Sequence, residues 1–325
     1  MRREYNYRLG FVALLLLLAL APLVIYPIFM TKLLCFALFA IAFNLLFGQT
    51  GLLSFGHALF FGGAAYVTAY ALKVWALPTE QAVLLGVGFA VGAGLLVGAL
   101  SILRHGLYFS MITLALAQMF YFICVAAPVT GGDDGMSAVP RGRLFGWIDL
   151  ANDRVLYYFV LAVFGAAFLL VFRIIHSPYG QVLRAIRDHE TRATSLGYKV
   201  NRYKLLVFVQ SAALAGLAGS LKVLVFQVAT LDAVHWSTSG DVILMTLVGG
   251  ISTVFGPLVG AGFILTMQTL LQGYSQWMPV IQGAIFVLMV MLLPRGVVGE
   301  LAGRLPWLRR TRAPEAAVSL HAHQQ

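Results

Sequence analysis

Residues 177–219 read SPYGQVLRAIRDHETRATSLGYKVNRYKLLVFVQSAALAGLAG. This is the one long polar, charge-rich stretch between apolar runs, and its reading decides the fold. Ser177 can cap a helix with Pro178 at the first helical position, where a missing N–H is harmless. Val182, Ala185, Ile186, His189, Ala193 and Leu196 then recur at helical spacing, which predicts one short surface helix with a mostly apolar stripe. Arg184, Asp188 and Arg192 stand four apart on another face, where opposite charges support an exposed helix. Gly197 is the residue type expected just past a helix end. Tyr203 and Lys204 lead straight into the next apolar run. A two-faced helix held between two spans is suited to docking on something outside a bilayer. An ordinary loop with a solvated charged face is the competing reading.

The rest of the chain supplies the bilayer. Hydrophobic residues make up 60% of the 325, charged residues 10%, and the mean hydropathy is +0.88. Soluble domains carry about 25% charged residues. The fold class is therefore all-α, a polytopic helical protein of about ten membrane-spanning helices, with eight as the lower bound. The net charge of +10 could suggest nucleic acid. The basic residues, however, sit in short clusters beside apolar runs, which points to a lipid bilayer as the partner and not to nucleic acid. Cys35 and Cys124 lie inside apolar runs without ligand-spaced companions, so neither a metal site nor a disulfide follows.

Working outward, Arg2, Arg3 and Arg8 precede an apolar run from Leu9 to about Met30. This run imitates a signal peptide, but it exceeds a typical h-region and more spans follow, so it reads as a retained first helix. Further spans are expected at about Leu33–Phe47, Ser54–Leu72, Gln81–Ile102, Leu107–Ala127, Val155–Ile175 and Leu205–Val228. The run Val242–Leu271 is too long for one span and divides at its glycines, and Val280–Leu293 is the last. Sixteen basic residues then fall on the N-terminal side of the bilayer and six on the other side or within spans, a positive-inside bias. Both termini and the 176–204 segment are expected to be cytoplasmic, and the 128–154 loop external. Residues 1–303 read as one membrane domain. The stretch 304–325, with Arg304, Arg309, Arg310 and Arg312, reads as a basic, disordered tail.

Two more patches rise above general hydrophobicity. GQTGLLSFGHALFFGGAAY, Gly48 to Tyr66, places Gly48, Gly51, Ser54, Gly56 and His57 where a helix would break at membrane depth. LVGGISTVFGPLVGA, Leu247 to Ala261, does the same with Gly249, Gly250, Gly256 and Pro257. Irregular backbone in a membrane is tolerated where protein or a water-filled path covers it. These residues are thus candidates for lining a translocation path, and close helix packing through small residues is the competing reading. Ala212, Gly216 and Ser220 also suit close packing.

Together these patches resemble the permease subunits of branched-chain amino acid ABC importers, the Liv-type membrane family. The matching pieces run in order: Gly48-Gln49-Thr50-Gly51, Ser54-Phe55-Gly56-His57, Gly131-Gly132, Gly180, Leu183-Arg184-Ala185-Ile186-Arg187-Asp188, Glu190, Arg192-Ala193 and Leu196-Gly197. Lys204-Leu205, Ser211-Ala212, Ala215-Gly216-Leu217-Ala218-Gly219, Gly249-Gly250 and Gly256-Pro257 complete the series. The resemblance implies that the segment after the sixth span is a coupling loop, seating its helix in a cleft of a cytoplasmic ATPase. Arg184, Arg187, Asp188 and Glu190 are then candidate contacts. General importers carry Glu-Ala-Ala with glycine six residues after the glutamate. Here Gly197 follows Glu190 by seven, and Thr191-Arg192 replaces the alanines. Asp133-Asp134 also stands where threonine or serine is expected after the paired glycines.

The implied assembly is a second, similar permease, two ATPase subunits and an external substrate-binding protein in a bacterial inner membrane. No glycine is followed by lysine, so the chain carries no Walker A loop. It is expected to bind no cofactor, with ATP and Mg²⁺ handled by the partner ATPases, and not to be an enzyme. The implied cargo is a branched-chain or related neutral amino acid, with urea or short amides as an alternative. An ion-coupled carrier or channel would need intramembrane ionisable groups. Only Lys222, read as a snorkelling side chain, and His57 stand within spans, with Asp241 at an edge.

Overall fold

The computed structural model describes residues 17–23, 26–104, 106–144, 146, 148–251, 253, 255–271, 278–292 and 296–304. Leu9–Leu16, Val24 and Ile25 of the expected first span, and the basic tail beyond Arg304, lie outside the described residues. The helices are α1 (Pro27–Thr50), α2 (His57–Lys73), α3 (Thr79–Ser101), α4 (Leu107–Ala126), α5 (Asp153–His176), α6 (Pro178–Asp188), α7 (Glu190–Ser195), α8 (Val200–Phe226), α9 (Trp236–Gly249), α10 (Gly256–Leu270), α11 (Met278–Leu292) and α12 (Gly296–Arg304). Five of them, α1, α3, α4, α5 and α8, are long and apolar enough to cross a membrane. With the shorter α2, α9, α10 and α11, nine helices among the described residues run alternately between two ends. Among the described residues the lower end carries 51–56, 102–104, 106, 177–199, 250, 251, 253 and 255, and the upper end carries 74–78, 127–144, 146, 148–152 and 227–235.

The first two spans divide earlier than expected. Tyr26 is extended at ψ 125° and Pro27 opens α1, because a residue before proline is pushed out of the helical region and proline suits a first turn. The helix therefore takes in residues 27–30, assigned above to the first span, and runs on through Gly48 to Thr50. The break falls at 51–56, with Gly51 left-handed at φ 73°. The second break likewise begins after Gly249, which is still helical, and α10 opens at Gly256-Pro257. A short helix not foreseen, α12, follows the last span.

α1 is the axis. It is apolar all round and buried along most of its length, as a helix without a polar face must be. α8, α5, α10 and α9 pack against it. α8 also approaches α2 so closely that a Cβ on Gly219 would overlap the Phe61 carbonyl. The row Ala212, Gly216, Ser220 is buried as expected, and Ser220 Oγ accepts a 2.8 Å hydrogen bond from Thr68 of α2. α3 and α4 instead turn Leu84, Leu95, Leu96, Met111 and Phe122 outward, a surface that suits lipid tails. Lys222 lies with its ammonium 5.4 Å from the Phe61 ring centroid and 6.0 Å from that of Phe36, a cation–π arrangement.

The upper end is strapped by the 128–152 segment. Gly131, Gly132 and Gly135 all take positive φ, and a Cβ at Gly131 would overlap the Gly135 carbonyl. Past this turn the backbone pairs with the segment after α8, with Met136 and Ala229 exchanging hydrogen bonds of 2.9 and 2.8 Å. A two-residue hairpin, Arg143–Leu144 against Ile148–Asp149, completes it.

Candidate functional site

The organising segment folds as two helices where one was expected. Ser177 Oγ accepts from the Gly180 N–H at 3.2 Å and Pro178 opens α6, as the capping residues predict. The helix stops at Asp188 because His189 is extended, at φ −151° and ψ 87°. A straight helix of about nineteen residues would run about 28 Å and carry its end away from the bundle. The break turns α7 back, so that Glu190 Oε1 meets Lys204 Nζ at 2.7 Å and Ala193 packs with Ile186 and Val200. Arg192 consequently does not share a helical face with Arg184 and Asp188.

The expected apolar stripe divides accordingly. Leu183 enters the main core, while Ile186, Ala193 and Val200 form a separate small cluster flanked by Val182 and Tyr203. Ala185 and His189 are exposed, and Leu196 is 72% exposed beside the exposed Tyr198. Tyr179 stacks on Tyr203 with centroids 5.8 Å apart, and burial, then the Tyr203 phenol, pushes the Tyr179 phenol above its ordinary pKa.

Several of the predicted docking residues hydrogen-bond back to the bundle, Arg187 while remaining exposed. Arg184 donates to the Ile175 carbonyl and Arg187 to the Gly48 carbonyl, both at 2.5 Å. Gly180 sits so tightly on α5 that a Cβ would lie 2.5 Å from the Ile174 and Ile175 carbonyl oxygens. Asp188, Arg192 and Gly197 are exposed with Leu196.

Above α6 the two helix breaks meet on the last turns of α1. In the first break, Ser110 Oγ donates to the Leu53 carbonyl at 2.6 Å. Thr113 Oγ1 accepts the Phe55 N–H at 3.2 Å, and Ser54 Oγ accepts the Gly56 N–H at 3.2 Å. Side chains thus replace the missing helical partners, as irregular backbone inside a membrane requires. Ser239 of α9 accepts the Ala58 N–H at 2.8 Å. In the second break, Thr253 Oγ1 donates to the Gly250 carbonyl at 2.7 Å, and Asn44 of α1 donates to the Thr253 carbonyl at 2.9 Å. Gly256 packs against Gly249 and Gly250, where a Cβ would lie 2.6 Å from the Gly250 oxygen. Pro257 occupies the first turn of α10.

His57 is fully buried, with Nε2 2.8 Å from Ser211 Oγ. Ser211 has one hydroxyl proton, and its Oγ stands 2.5 Å from the Ala42 carbonyl, which can only accept. His57 Nε2–H is therefore the donor to Ser211. Among the described residues His57 Nδ1 and Gln49 Oε1 are buried without a hydrogen-bond partner. The patch at 48–57, the patch at 249–257 and the 177–204 segment, far apart in sequence, thus converge around Ala42, Asn44 and Gly48. Asn44 was legible as a lone amide in an apolar run. Ser211 and Ser239 were not, because small hydroxyl residues are common in close-packed helices.

Comparison with known proteins fits this architecture. The family described as "Branched-chain amino acid transport system / permease component" matches residues 25–294, and the chain belongs to it. It is a multi-pass membrane protein with a transport role. The high-affinity branched-chain amino acid transport system permease protein LivM of Salmonella typhimurium is 26% identical over 297 residues, covering 82% of this chain and 68% of LivM. LivM of Escherichia coli is 25% identical over 291 residues, 81% of this chain and 67% of LivM. The ribose import permease protein RbsC of Escherichia coli is 25% identical over 270 residues, 79% of this chain and 81% of RbsC. No solved structure matches.

Proposed function

We propose that this chain is one of two membrane subunits of an ATP-driven importer that carries branched-chain, or related neutral, amino acids across a bacterial inner membrane. The lower end faces the cytoplasm, and α6 and α7 dock on a separate ATPase. That partner holds ATP and Mg²⁺, while a second, similar permease and an external binding protein complete the assembly. The observation that carries this reading is the surface left at the lower end: Leu196 exposed beside Tyr198, Ala185, Asp188 and Arg192. An apolar centre of leucine and tyrosine within a polar, charged rim is the anatomy of an interface patch. Arg184, Arg187 and Glu190 then act differently from the docking role first assigned to them, fixing the segment to the bundle so that a push on α6 reaches Gly48 and the break above it.

The amino acid cargo rests on the two LivM relatives, and the ribose permease among the relatives supports leaving cargo choice chiefly to the binding protein. The polar atoms gathered at the breaks, including Gln49 Oε1 and His57 Nδ1, support a hydrated path beside α1. The test is co-purification with the ATPase subunits. Leu196→Asp combined with Asp188→Arg is expected to weaken association about tenfold or more, a loss of about 1.4 kcal/mol, with the permease still folded because both side chains are exposed. Unchanged association with unchanged transport would remove the coupling assignment.

A further inference from the structure

We infer that Arg141, in the strap across the upper end, is a positioning residue that holds together the two helices between which the coupling segment hangs. α5 leads into that segment and α8 leads out of it. Both pack along α1, yet they touch one another little along their lengths. At the lower end they are tied by α6, through Gly180 against Ile174 and Ile175 and through the Tyr179 hydroxyl to the Tyr203 carbonyl at 3.4 Å. At the upper end one guanidinium performs the same task.

Arg141 Nε donates to the Leu224 carbonyl and NH2 to the Val225 carbonyl, each at 3.1 Å, capping the last turn of α8. NH1 donates to Asp153 Oδ1 at 2.6 Å, in the first turn of α5, and to the Ala151 carbonyl at 3.2 Å, two residues before the helix. The Arg141 side chain is 12% exposed and that of Asp153 40% exposed. The electrostatics agree: a cation stands at a helix C-terminus and an acid at a helix N-terminus, each complementing the end of its dipole. The planar five-donor fork is what allows one side chain to reach both helices, which a lysine cannot do. The strap is built to hold the arginine there. Thr79 Oγ1 donates to the Arg141 carbonyl at 2.9 Å, and Gly142, at φ +66°, leaves room where a Cβ would lie 2.6 Å from that same Thr79 oxygen. Val139 N–H donates to the Gln227 carbonyl at 2.9 Å just beyond α8.

A pair of helices joined at both ends tilts as a unit when its lower end is displaced. Joined only at the lower end, the pair splays, and the displacement is lost before it reaches the outer mouth. This inference rests on the coupling role proposed above for α6 and α7, and it assigns transmission across the bilayer to a residue far from that segment.

The experiment uses the full importer, with its partner permease, ATPase subunits and binding protein, in proteoliposomes with radiolabelled leucine as the probe. The readout is leucine taken up per ATP hydrolysed. Arg141→Gln is expected to assemble and to hydrolyse ATP while its yield per ATP falls about fivefold or more. Arg141→Lys, which can hold one helix but not both, is expected to recover only part of the yield. Should Arg141→Gln fail to assemble, Asp153→Ala, which keeps the α8 cap and leaves the α5 end held only through the Ala151 carbonyl, must lose yield in the same direction with ATP hydrolysis retained. ATP-driven uptake in the wild type with undiminished yield in Arg141→Gln, or in Asp153→Ala where that stands in, overturns this proposal alone. Leucine uptake by the wild type that is independent of ATP overturns the importer reading and this inference with it.

Discussion

The pair Lys204–Glu190 gives the sharpest prediction, because its two members differ in burial. The Lys204 side chain is 4% exposed and that of Glu190 37%, with nitrogen and oxygen 2.7 Å apart. At that separation an effective dielectric of about 20 gives a gross attraction of about 6 kcal/mol, most of which is offset by desolvating the ions. Removing one partner is unequal. Glu190→Ala leaves a buried ammonium without its carboxylate, a loss of about 3–5 kcal/mol in a dry site. Solvent reaching the glutamate brings this down to about 2–3 kcal/mol. Lys204→Met keeps the stem volume, and the Glu190 side chain, already 37% exposed, keeps its access to water, so the loss is under about 1 kcal/mol. α7 is held by the small Ile186–Ala193–Val200 cluster and not by the main core, so the loss appears as local opening. Amide exchange over residues 190–199 of the purified chain in detergent should accelerate about 30- to 150-fold in Glu190→Ala, at tenfold per 1.4 kcal/mol. Lys204→Met should remain within about fivefold of wild type. Glu190→Ala with Lys204→Met should be more protected than Glu190→Ala alone. If Lys204→Met opens the segment as much as Glu190→Ala, or the double variant gives no recovery, the buried-charge reasoning is wrong.

Two further substitutions test the lower end. Gly180→Ala must push α6 off the Ile174 and Ile175 carbonyls, a strain of about 1–3 kcal/mol. It should raise exchange across 178–188, and a silent substitution would mean that α6 is not seated as described. Ser211→Ala removes both the acceptor of His57 Nε2–H and the donor to the Ala42 carbonyl. Unsatisfied buried groups cost about 1–3 kcal/mol each, but interhelical hydrogen bonds in membranes measure about 0.6–1.7 kcal/mol, so a loss of about 1–2 kcal/mol is expected in thermal unfolding in detergent. Wild-type stability in Ser211→Ala would mean that neither hydrogen bond at Ser211 helps to hold the helices together.

Much of the fold was legible because its causes are local. Ser177 and Pro178 cap α6 as read, since a cap needs only its own first turn. The glycine patches mark helix ends within a few residues, although Gly48 and Gly249 proved helical and the breaks start just after them. The position of Pro27 was readable too, yet the uniform apolar run around it hid the boundary between the first two spans. His189 was not legible as a break. It fits the helical period, and what displaces it is the gain from bringing Glu190 to Lys204 and Ala193 to Val200, fourteen and seven residues further on.

Composition and span spacing determined from sequence alone that this is a helical membrane protein, and the ordered small-residue motifs carried its resemblance to the branched-chain amino acid permease family that the family match then showed. Those properties depend on apolar runs and on backbone sterics that act within one or two helical turns. Only the tertiary structure decided which charges of the organising segment face outward. Arg184, Arg187 and Glu190 could each have met solvent on an isolated helix. Each instead bonds to the bundle, Arg187 and Glu190 while keeping access to solvent, because carbonyls freed at the ends of α1 and α5, and one buried lysine in α8, need partners that their own helices cannot provide. The same unmet need at the far end of α8 draws Arg141 into place, and no local pattern in the sequence announces it.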